Sequence, residues 1–158
     1  MRPRELTQAW CDEVAASAFE GLLTGTFGRD VQRALDVTIT GLLSSHALIV
    51  AVPLKGSQAH GQVFLSVPQA LSAQLMNAFL GQTGGSNPDV SQLSDFVGEL
   101  CNMLAGRFGA LLADAGVELE LGTPSSVSPA AAQQLARWLI WTCATLPIGL
   151  CVQMEGLQ

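Results

Sequence analysis

One amphipathic segment constrains this chain more than any other part of it: PDVSQLSDFVGELCNMLAGRFGALLADA, residues 88–115. Phe96, Val97, Leu100, Leu104, Phe108 and Leu111 recur at helical spacing and predict one face of a long helix packed on a core. Both ends carry their own signals. Asn87 is placed to cap, Pro88 suits the first helical position, and Asp89 suits the positive end of the helix dipole. Gly116 marks the stop.

The remaining elements are shorter. Residues 5 to about 27 predict a first amphipathic helix through Leu6, Trp10, Val14, Ala18, Phe19 and Leu22, ended by Gly25 and Gly28. The run 35–43, LDVTITGLL, has strand composition. HALIVAVPL (46–54) and GQVFLS (61–66) predict a β-hairpin across the turn KGSQAH. Pro68 opens a helix over 68–80 and Gly81 closes it. GQTGGSNPDVSQ, 81–92, is the clear loop. VELELGTP, 117–124, alternates as a strand with Glu118 and Glu120 on one face. QLARWLIWTCAT (134–145) and IGLCVQME (148–155) predict two further strands, separated by Leu146-Pro147. No internal repeat is strong, although two helix-plus-hairpin halves are suggested.

The long helix also carries a polar stripe. Asp95, Glu99 and Asn102 stand at i, i+4 and i+7, so they stack on the face away from the apolar stripe, and Gly106 continues that line one turn later. Asp95 and Glu99 alone would read as a solvated helix face. Asn102 changes the balance, because Asn costs some tenths of a kcal/mol relative to Ala inside a helix and a solvated face does not need it.

Composition narrows the function classes. At 158 residues the chain reads as a single domain, 1–158, with 49% hydrophobic and 13% charged residues. No apolar run approaches the roughly 20 residues of a membrane span, and the first residues show no cleavable apolar region, so neither membrane nor export is expected. A net charge of −6 with Lys55 as the single lysine argues against nucleic acid as a partner. Cys11, Cys101, Cys143 and Cys151 form no CxxC and read as buried thiols of a cytoplasmic protein. His46 and His60 flank the hairpin, each alone, and no metal-ligand spacing or Ser-His-Asp arrangement can be read. Trp138 and Trp141 read as core or dimer packing, and Met76, Met103 and Met154 as gap-filling core.

The stripe resembles the signature of the CheC/CheX family of chemotaxis phosphatases: Asp or Ser, three residues, Glu, two residues, Asn, then Pro about 22 positions on. Asp95, Glu99, Asn102 and Pro124 fall in that register, and the order of elements agrees over roughly the whole chain. The resemblance implies an α/β (α+β) single domain with long helices packed on a mostly antiparallel sheet. It implies a phosphatase that hydrolyses the aspartyl phosphate of a CheY-like response regulator in chemotaxis or related two-component signalling. Asn102 would orient the attacking water, which a carboxamide can both donate to and accept from. Glu99 would accept from a lysine of the partner. Asp95 would support the docking edge, Gly106 would admit the partner's backbone, and Pro124 would shape the neighbouring strand end. The protein would need no cofactor of its own, since the receiver domain carries the Mg²⁺.

One departure bears on the number of sites. Some relatives have a second Glu-x-x-Asn on the first helix; here Glu13 is present and the Asn position is Ala16. A methyl group cannot orient a water, so one centre per chain is expected, which is the CheX-like pattern, and the resemblance to CheX-type proteins implies a homodimer. The other readings are a CheX-like module that binds a receiver or another signalling partner without turnover, and a structural piece of the flagellar switch.

Overall fold

The computed structural model describes residues 6–44, 46–81, 87–135 and 137–157. Helix α1 (Gln8–Gly21) starts at Thr7, whose hydroxyl accepts from the Trp10 amide. It runs into a π-helical turn, Leu22–Thr26, and ends at Gly28, whose φ of 61° suits a residue without Cβ. Gly25 therefore lies inside that turn and does not end the helix. Strand β1 (Gln32–Arg33) is followed by a short helix α2 (Ile39–Leu42) where a strand is expected over 35–43. The reason is local: the Thr38 hydroxyl caps the Gly41 amide and starts a helical turn that overrides the β-branched composition.

The central hairpin is β2 (Ala47–Lys55) with β3 (His60–Pro68), in register from Ala47 opposite Pro68 to Lys55 opposite His60. Helix α3 (Gln69–Leu80) takes Pro68 as its cap and ends at Gly81 in the left-handed region. Helix α4 (Val90–Asp114) is capped by Asp89, two residues after the expected Asn87. Asp89 and Gln92 form a reciprocal capping box, at 2.8 Å and 2.9 Å. Of the loop expected over 81–92, residues 82–86 lie outside the described residues.

The C-terminal part is more broken than expected. The alternating run 117–124 yields only β4 (Glu120–Leu121), followed by β5 (Ser125–Ser126), both paired with β2. Helix α5 (Pro129–Gln133) precedes β6 (Leu139–Cys143) and β7 (Leu146–Glu155). The β6–β7 turn is Ala144-Thr145, both at positive φ, so Leu146-Pro147 belongs to β7 and does not separate the strands.

All strand pairings are antiparallel, in the order β1-β6-β7-β3-β2-β4, with β5 also on β2. Both faces of the sheet are covered, which explains why β2 and β3 read as continuous apolar runs. Val50, Val52, Val63, Leu65 and Leu150 meet α1, α3 and α4. Ile49, Ala51, Phe64 and Cys151 meet Leu42, Leu43, Leu135 and Trp138 on the other side. Helix α4 is long and apolar enough to match a membrane span in length and composition. Its stripe is instead spent on the core: Phe96, Val97, Leu100, Leu104, Phe108 and Leu112 are buried. Leu111, expected on that face, is 40% exposed, because the buried line advances by four from Leu104 to Phe108 to Leu112.

Candidate functional site

Helix α4 presents the polar stripe on the face turned from the sheet. Asp95 and Glu99 are exposed, and Asn102 and Gly106 are half-buried. Among the described residues the ion pairs are His60 with Glu155 and Arg137 with Asp12, so neither Asp95 nor Glu99 has its charge neutralised by a neighbour. The Asn102 Oδ1 is buried and meets no hydrogen-bond donor among the described residues. An oxygen in that condition costs the free protein an unmade hydrogen bond, and the side chain must turn outward for it to accept from an incoming molecule. The backbone beneath is held by the capping box of α4 at one end and by buried Phe108 and Leu112 toward the other.

Pro124 stands beside the stripe. It joins β4 to β5 and packs on Gly98, where a Cβ would lie 3.4 Å from the Pro124 Cβ. Asp95, Glu99, Gly98 and Pro124 all line a groove of about 670 Å³, which also takes in Phe79 and Leu80 from the end of α3. The structure thus brings Asp95, Glu99 and Pro124 onto one groove, with Asn102 and Gly106 on the adjoining turns of α4. Sequence periodicity did not reveal the α3 residues. The available signal was Phe79-Leu80 next to Gly81, two large apolar side chains at a helix end already anchored by buried Leu71 and Leu75.

Helix α1 offers no equivalent stripe. Glu13 is exposed, but Ala16 packs against the main core. Asp12 is bound by Arg137 at 2.6 Å and by the Gln8 amide at 2.8 Å. All four cysteines are buried free thiols. Loss of hydration pushes Cys101 up to about 12 and Cys11 and Cys151 up to about 11, and Cys143 is raised for the same reason. None is a thiolate nucleophile at neutral pH. His60 is not alone, as expected from sequence, but pairs at the sheet end with Glu155 at 2.8 Å. Among the described residues no three His, Cys, Asp or Glu side chains gather at metal-binding distance.

Long helices over an antiparallel sheet give this chain the fold of CheC- and CheX-like chemotaxis proteins. CheX from Vibrio vulnificus superposes with a TM-score of 0.69 at 18% identity, over 95% of this chain and 99% of that one. A CheC-like protein from Shewanella sp. PV-4 gives 0.73 at 18% identity, over 95% and 100%. CheX in the CheX–CheY–BeF3–Mg²⁺ complex from Borrelia burgdorferi gives 0.65 at 15% identity, over 90% and 96%. The family model described as "Chemotaxis phosphatase CheX" matches residues 48–136, more than half of the chain. The chain belongs to the CheX family. No curated protein matches it.

Proposed function

We propose that this protein hydrolyses the aspartyl phosphate of a CheY-like response regulator, in chemotaxis or a related two-component pathway. The observation that carries the reading is the stripe itself: Glu99 exposed and, one turn on, Asn102, the first without a counter-ion and the second with its carbonyl oxygen unpartnered among the described residues. The complex of a CheX with CheY, BeF3 and Mg²⁺ supports a CheY-like partner.

Phosphoryl transfer from an acyl phosphate passes through a loose transition state, and its catalysis is mostly positioning and electrostatics. Asn102, its side chain turned outward so that the buried oxygen meets the solvent, holds the attacking water in line with the scissile bond, accepting one of its hydrogens and donating to its oxygen. Glu99 binds the receiver's lysine and fixes the docking angle. Asp95 extends the docking edge by one turn, and Gly106 lets the receiver's backbone approach α4. The Mg²⁺ that neutralises the phosphoryl oxygens belongs to the receiver, in keeping with the one or two carboxylates such an ion usually takes. The protein acts as a cytoplasmic homodimer with one centre per chain, and engages neither nucleic acid nor membrane.

Incubation with a panel of phosphorylated receiver domains, followed by measurement of released phosphate, tests the reading. At least one receiver should lose phosphate faster than it does alone, and chelation of Mg²⁺ should stop the reaction. Binding without faster loss across the panel would make the protein a docking module.

A further inference from the structure

We propose that the groove beside the stripe is the subsite that selects the receiver, and that it takes an apolar side chain flanked by a basic residue from the receiver surface next to the phosphorylated aspartate. This rests on the phosphatase reading for the identity of the partner, though not for the groove's geometry. The groove holds about 670 Å³ between the end of α3, the first half of α4 and the Pro124–Ser126 segment. Phe79 and Leu80 lie in it 54% and 51% exposed, two of the largest apolar side chains left open to solvent among the described residues. Phe79 is not loose. Its ring centroid is 5.9 Å from that of Phe27 and 6.2 Å from that of Phe96, so the anchor is ordered before a partner arrives. Half-buried Met76 and Met103 form adaptable walls.

The charge on the rim decides what fits. Asp95 and Glu99 border the apolar floor and have no ion pair among the described residues. A second copy of this chain is the wrong occupant. A two-fold interface centred here would bring Asp95 and Glu99 toward their own copies, a like-charge contact within a protein already at −6. A basic residue beside an apolar one satisfies both parts of the groove. Because Glu99 belongs to the groove and to the stripe alike, a receiver seated on Glu99 covers Phe79 and Leu80 as well.

The test titrates wild type, Leu80→Ser and Phe79→Ser/Leu80→Ser against a CheY-like receiver held with beryllofluoride and Mg²⁺. Dephosphorylation of the phosphorylated receiver is measured separately. Leu80→Ser touches no aromatic contact and keeps the series informative if the double variant loses stability. The expected result is a Kd about tenfold weaker in the double variant, as for loss of a buried anchor, with KM rising in step and kcat changing less than about twofold. An unchanged Kd in both variants overturns the proposal. So does a loss of self-association with receiver binding intact, which would assign the groove to a second copy. Wild type that binds the receiver but releases no phosphate would overturn the phosphatase reading alone, and the Kd series would still decide the groove.

Discussion

Gly98 of α4 lies directly against Pro124: a Cβ at position 98 would stand 3.4 Å from the Pro124 Cβ. This contact gives the proline of the motif a structural meaning. It seats the link between β4 and β5 on the helix one residue before Glu99, and so fixes one wall of the groove relative to the stripe. Gly98→Val should push the two apart at a cost of about 1–3 kcal/mol, as overpacking does. Urea unfolding should show a lower midpoint. An unchanged midpoint would mean that the Gly98–Pro124 contact does not hold the wall.

Gly106 has no such reason to be glycine. Apart from the helix's own backbone, nothing among the described residues lies within 4 Å of the place a Cβ would take, and the position is well inside α4. Glycine there costs roughly 0.5–1 kcal/mol relative to alanine. Gly106→Ala should therefore raise stability by about that amount while lowering the rate of receiver dephosphorylation, because the new methyl would stand where the proposed docking brings the receiver backbone. A stabilised variant of full activity would remove Gly106 from the docking surface.

Alkaline pH should unfold this protein through its thiols. The unfolded chain loses thiol protons from about pH 8.5, whereas the folded chain keeps those of Cys11 and Cys151 to about 11 and that of Cys101 to about 12. Above pH 8.5 the unfolded state binds fewer protons, so the stabilisation is complete below that pH and is lost as pH climbs through the folded values. The chain has no tyrosine and few basic side chains to obscure the effect. Urea midpoints should fall steadily from pH 8.5 to 11. A flat profile would show that the thiols are hydrated in the folded state.

Where the chain's own chemistry announced an element, the sequence was sufficient. Helix α4 was legible from its periodicity and from Gly116, and the β2–β3 hairpin from its apolar runs around KGSQAH. The stripe was legible because Asp95, Glu99 and Asn102 share one helix, where spacing alone fixes the face. The failures have local causes. Residues 39–42 are rich in strand formers, yet the Thr38 cap outweighs them. The β6–β7 turn uses Ala144 and Thr145 at positive φ, without the Asn-Gly or Asp-Gly that signals such a turn. Pro147 looked like a break, but the pairing of β7 with β3 ends at Gly149, so its missing N–H removes no bond to that neighbour. The groove could not be read at all, since Phe79, Leu80 and Pro124 come together only through tertiary packing.

The loss of phosphate from a phosphorylated CheY-like receiver, compared between wild type and Asn102→Ala, tests the central claim most directly. The substitution removes a half-buried carboxamide whose oxygen has no partner among the described residues, so circular dichroism and thermal unfolding should show the fold intact. Wild type should accelerate the loss, and Asn102→Ala should reduce that acceleration about a hundredfold or more, the usual effect of deleting a group that positions the transition state. Equal rates for the two proteins would contradict the role of Asn102 and, with it, the mechanism built on the stripe.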